Sequence, residues 1–167
     1  MLKNIDKYLS LIILSILVSV NNLNCAMQEI PLLNEELKEA CRDGNVIKVQ
    51  KLIDQGININ AIDSYGTTAL MMACIYNHLE IATLLLDRGA NINAQDNLGR
   101  TALMEAVRWD NLEMIKLLFT YNPDFALRDT EDRDALSYAR NDEMRDLLRS
   151  YMADSKPATG IALKSSI

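Results

Sequence analysis

Histidine occurs once in this chain of 167 residues, tryptophan once, cysteine three times and proline three times. A lone His78 cannot supply convergent nitrogen ligands, and no Cys-x-x-Cys pair exists, so the usual structural metal sites are excluded. Neither a phosphate-cradling glycine-rich loop nor a nucleophile elbow is present. Asp and Glu are plentiful, but the sequence places no pair of them in an apolar pocket suited to acid–base work. The chain therefore reads as a non-enzyme without cofactor or metal. A basic excess is also missing: 17 Lys and Arg stand against 23 Asp and Glu, a net charge of −6. Neutralising a phosphate backbone needs a basic face, so no nucleic-acid partner is expected.

A comfortable membrane span, about 20 apolar residues, is lacking as well. The apolar run Tyr8 to Val20 has 13 residues. It follows Lys3 and Lys7 and precedes polar "NNLNCA", the order of parts in a secretory signal peptide. Residues 1–26 are read as that signal, cut after Cys25 or Ala26, with a retained membrane anchor as the alternative. Residues 27–33 are a linker. Lipidation of Cys25 is disfavoured, because Asn22, Leu23 and Asn24 lack the usual apolar-then-small approach. With the Ile- and Asn-rich composition, this start points to an exported bacterial protein, periplasmic or secreted. At the other end, residues 153–167 carry Pro, Gly and Ser without helical pattern and are expected to be mobile.

What the chain does contain is repetition. Residues 64–96 and 97–129 align without a gap, with 11 of 33 positions identical. Leu70, Leu103 and Leu136 recur at this interval, as do Ala40, Ala73, Ala106 and Ala139, and Asp63, Asp96 and Asp129. Each unit reads as two short helices and an extended finger. Thr68 and Thr101 are suited to accept an orphan backbone N–H at a helix start. Gly44, Asn77 and Asp110 stand between the helices, where a left-handed residue ends the first one. The recurring aspartates have the spacing of turn geometry, not of a catalytic dyad. Cys41 and Cys74 fall on stacked helices whose axes lie about 8–10 Å apart, so they are read as small buried residues, not as a disulfide.

The period and the run "TALMMA…NHLEIATLLLDRGANINAQD" resemble the ankyrin repeat over residues 34–152. The resemblance implies an all-α solenoid of stacked helix-turn-helix units with short β-hairpin-like fingers. It divides the domain into an N-cap at 34–63, internal units at 64–96 and 97–129, and a shortened C-cap at 130–152. The sequence departs from the family pattern where Ala69 and Met71, then Ala102 and Met104, replace the usual Pro and His. Ala favours helix and Met fills apolar space, so the fold should survive. His78 stands where the family commonly carries a structural His.

The resemblance also implies a monomeric module that binds another protein through its finger tips and first-helix face. Carried onto this chain, that face comprises Tyr65, Thr67, Leu98, Arg100 and Arg133 on the tips, with Ile75, Tyr76, Arg108 and Trp109 on the helices. Trp, Tyr and Arg are the types enriched at interface hot spots. Two rival readings are a membrane-tethered scaffold and a regulatory or inhibitory subunit of an enzyme. On a third, Tyr76 and Trp109 merely cover the ends of their own helices.

Overall fold

The hydroxyls of Thr68 and Thr101 accept the backbone N–H groups of Met71 at 3.2 Å and Met104 at 3.3 Å. Each is the N-cap of a short helix, and each helix runs to an aromatic residue at its C-cap. This arrangement comes from a computed structural model that describes residues 34–154. The expected signal or anchor, the linker and the tail beyond Asp154 lie outside the described residues.

Helices come in pairs. The first pair is α1 (34–42) and α2 (Val46–Asp54). The second is α3 (Ala69–Ile75) and α4 (Leu79–Asp87), and the third α5 (Ala102–Arg108) and α6 (Leu112–Phe119). The last unit has a single 3-10 turn, Ala135–Tyr138, followed by α7 (Asp142–Asp154). No strand occurs among the described residues. The chain is thus an all-α ankyrin-type solenoid.

Within each pair the first helix ends on a left-handed residue: Gly44 at φ 71°, Asn77 at 57° and Asp110 at 59°. Only glycine, or a short polar residue that bonds locally, takes this conformation readily. The chain then reverses, so α3 packs on α4 and α5 on α6. Units stack through like helices: α3 on α5, α2 on α4 and α4 on α6. Leu70, Leu85, Leu103, Ile115 and Leu118 are fully buried in one continuous core. Ala40, Ala73, Ala106 and Ala139 are buried too, where small side chains let helices approach. Met71 and Met104, which stand in for the usual histidine, are each only 1% exposed.

Polar side chains tie unit to unit at the helix ends. The His78 ring nitrogen Nε2 lies 3.0 Å from the Arg42 carbonyl; a carbonyl only accepts, so Nε2 donates. Asn111, 33 positions on, donates to the Cys74 carbonyl at 2.8 Å. Both donate to a carbonyl in the last turn of the preceding unit's first helix, where carbonyls lack a full set of helical partners. His78 is therefore structural. Cys41 and Cys74 are free and buried. Burial pushes the Cys41 thiol up to about 12. The Cys74 thiol is pushed up by burial, with a further push from the Glu105 carboxylate.

The last unit departs from the pattern. Its first helix is only the 3-10 turn, capped by Asp134, whose Oδ1 accepts from the Ser137 N–H at 2.9 Å. Ala139 is already extended. The interval from Leu136 to Leu147 is too short for two full helices with a turn between them. Helix α7 then runs to Asp154, two residues past the expected domain end at 152.

Candidate protein-binding face

The fingers open with an aspartate that builds its own turn. Asp63 Oδ1 accepts the N–H groups of Tyr65 and Thr67, each at 2.8 Å. Asp96 Oδ1 does the same for Leu98 at 2.9 Å and Arg100 at 2.8 Å. Asp129 Oδ1 repeats it for Glu131 and Arg133, each at 2.9 Å. These turns sit in register. The Asn97 N–H donates to Tyr65 O, and the Thr130 N–H to Leu98 O, each at 2.9 Å. The tips of successive fingers are thereby fixed side by side. The two flanks of each finger also pair through their backbones, the N–H groups of Asp63, Asp96 and Asp129 donating to the carbonyls of Thr67, Arg100 and Arg133, which is the hairpin-like character expected.

Each buried turn carboxylate has a cation. Lys38, itself 4% exposed, reaches from α1 to Asp63 Oδ2 at 3.1 Å. Arg100 Nη2 meets Asp96 Oδ2 at 2.6 Å, and Arg133 Nε meets Asp129 Oδ2 at 2.8 Å. The Tyr138 hydroxyl also donates to Asp129. Burial pushes the pKa of Asp129 up, but Tyr138, Arg133 and the backbone N–H groups outweigh it and hold it far below the ordinary carboxylate range. Asp63 follows the same logic: burial raises it, while Thr67, Lys38 and Tyr65 bring it below its usual value.

Of the seven exposed large apolar side chains among the described residues, four lie where the resemblance puts recognition: Tyr65 (75%), Tyr76 (48%), Leu98 (53%) and Trp109 (51%). Tyr65 and Leu98 are finger tips. Tyr76 and Trp109 are the C-cap residues of α3 and α5. Their backbones do the capping, and their rings remain exposed. Thr67 and Ile75 are half-buried. The remaining exposed apolar residues are Ile47, Ile62 and Leu79.

The arginines differ from expectation. Arg100, expected to reach a partner, has its guanidinium held between Asp96 and Glu105, with Nη1 2.8 Å from Glu105 Oε1. Arg133 is similarly engaged with Asp129 and Glu131, and its guanidinium carbon lies 5.0 Å from the Tyr138 ring centre. Arg108 is freer: its one ion pair, to Glu105, spans 3.6 Å.

Sequence reasoning missed Lys38, Glu105 and Tyr138. The signal was available in the register. Lys38 aligns with Met71 and Met104, and Glu105 aligns with Met72. At Lys38 and Glu105 the charge that replaces methionine sits in a buried ion pair, with Asp63 and Arg100 respectively. Glu105 is 3% exposed.

Stacked helix pairs, recurring left-handed turns and laddered fingers define a helical-repeat solenoid with exposed apolar side chains on two finger tips and two first-helix ends. A family model described as "Ankyrin repeats (3 copies)" matches residues 12–96 and 37–129. The chain belongs to the ankyrin-repeat family, whose members generally act as protein-binding modules. No curated protein matches the sequence.

Proposed function

We propose that this chain binds another protein through the row formed by Tyr65, Leu98, Tyr76 and Trp109. The observation that carries the reading is the exposure of four large apolar side chains at equivalent places of successive units, on finger tips and first-helix ends. Aromatic side chains without core duty supply contact area at low entropic cost. The scaffold beneath them is already ordered by its turn aspartates, so little further ordering is needed on binding. Arg108 adds a cation at the edge of the Trp109 ring, with its guanidinium carbon 5.9 Å from the ring centre. In this reading the protein is an exported bacterial module whose residues 1–26 are removed as a signal. Loss of Lys3, Asp6 and Lys7 then takes the net charge from −6 to −7, since the segment carries two positive charges and one negative.

The test is a double change, Trp109→Ala with Tyr76→Ala, measured by titration against a purified partner obtained by crosslinking at this face. Truncating a hot-spot anchor costs about 2 kcal/mol or more, roughly 30-fold in affinity. The helical circular dichroism should not change. Lys116→Ala, on α6 and paired only with Glu113, should leave affinity within about threefold, as isolated surface pairs contribute little. Binding that survives the double change and fails with Lys116→Ala would place recognition on the opposite side. For the export reading, a native protein whose mass retains Met1 refutes cleavage.

A further inference from the structure

Glu105 occupies a position that holds Met72 one unit earlier, and its carboxylate is buried. An ion in such a place costs free energy unless every oxygen is satisfied. Three groups satisfy it. Arg100 Nη1 lies 2.8 Å from Oε1, Arg108 Nη1 lies 3.6 Å from the same oxygen, and the Trp109 indole N–H donates to Oε2 at 3.1 Å. Neutralising Arg100 does not require Glu105, because Asp96 already holds that guanidinium by its Nε at 2.9 Å and its Nη2 at 2.6 Å. What Glu105 alone supplies is the acceptor for the indole. No equivalent exists for Tyr76, which has Met72 one turn back and lies beside the His78 ring, with centroids 6.5 Å apart.

We infer that Glu105 is the positioning residue of the binding face, holding the Trp109 indole in one orientation and making residues 97–129 its pre-ordered anchor. The inference rests on the proposed binding role of Trp109. Its physical basis is ordinary. A ring that is 51% exposed and attached at a helix end would sample several rotamers on a picosecond-to-nanosecond timescale. A charge-assisted hydrogen bond donated by the indole to a buried carboxylate, itself fixed by Arg100, removes that freedom before any partner arrives. The ordering cost is then met in folding and not in binding.

Trp109 is the only tryptophan, so its signals need no assignment. In the full chain the single indole N–H resonance should exchange with water more slowly than that of free tryptophan. Its fluorescence anisotropy should decay with the tumbling of the whole domain. Glu105→Met, chosen because the preceding unit carries Met72 at the same place, should keep the helical spectrum, lose the exchange protection and gain a sub-nanosecond decay. Glu105→Gln retains an acceptor for the indole and should restore both. With the partner in hand, Glu105→Met should bind about 2- to 12-fold more weakly, the cost of ordering one side chain. A wild-type indole that exchanges as fast as free tryptophan overturns the inference, whether or not Glu105→Met folds. So does a folded Glu105→Met with wild-type anisotropy. These spectra require no partner, so a mobile indole and a failed binding experiment are separate results.

Discussion

Leu85→Ala tests whether the units form one cooperative body. Leu85 is fully buried on α4, which packs between α2 and α6 and against α3. Truncating a buried leucine costs about 2–5 kcal/mol, and the value rises with the cavity that remains. Helix α4 is held by neighbours on three sides, so the site has little room to collapse. The upper part of the range applies, about 3–5 kcal/mol. A domain of this size is stable by about 5–15 kcal/mol in all, so much of its stability is at stake. At roughly 3–5 °C per kcal/mol the melting temperature falls by about 10–25 °C. Urea unfolding followed by circular dichroism reports all helices, while Trp109 fluorescence reports the adjoining unit. In a cooperative stack both midpoints move down together with an unchanged slope. If the fluorescence midpoint stays at its wild-type value while the dichroism shifts, the units unfold separately. If neither moves, the second-helix core has been misassigned.

Glycine substitution separates backbone strain from crowding. Gly89 (φ 86°) faces open space, so Gly89→Ala should cost about 1–2 kcal/mol from its left-handed backbone alone. Gly99 (φ 75°) would place a Cβ 2.8 Å from the Asp129 backbone, so Gly99→Ala should lower the urea midpoint further than Gly89→Ala, and equal shifts would refute the close finger packing. Acid should also destabilise the fold in a defined window. Asp63, Asp129 and Asp134 have folded values below their ordinary 3.8, so their stabilisation is complete above that value and is lost as pH falls through it and beyond. The urea midpoint should stay level from about pH 7 to 5 and fall below about pH 4, less steeply in Asp129→Asn. A fall already present between pH 7 and 5 would assign the dependence to other groups.

The fold was legible because the repeat states each structural requirement several times. Thr68 with Thr101, and Gly44 with Asn77 and Asp110, announce caps and left-handed turns by chemistry alone, and those positions carry them. Where repetition stops, so did legibility. The 3-10 turn at Ala135–Tyr138 stands alone, and nothing in its composition distinguishes it from a longer helix. On the candidate face, exposure of Tyr65, Tyr76, Leu98 and Trp109 follows from their having no core register. The fate of Arg100 did not follow. Whether a guanidinium points to solvent or folds back depends on which carboxylates lie within reach in three dimensions.

The missed residues share one electrostatic problem. Every finger turn withdraws a carboxylate from water, half-buried at Asp63 with 14% side-chain exposure and buried at Asp96 and Asp129 with 5% and 1%. Turn N–H groups satisfy one oxygen, and the other needs a cation. Asp96 and Asp129 find theirs four residues ahead, at Arg100 and Arg133, but that place in the first finger is Thr67. The cation comes instead from Lys38 on α1, where the two internal units carry methionine. A single requirement is thus met from two different sequence positions, so alignment of the repeats conceals it. The two solutions have different consequences. Arg100 and Arg133 make their turns self-sufficient, whereas the Lys38 contact joins the first helix of the capping unit to the turn that opens toward α3. Replacing Lys38 by an uncharged residue would leave the half-buried Asp63 carboxylate without its counter-ion, so the first finger, and Tyr65 on it, depend on α1 for more than apolar cover.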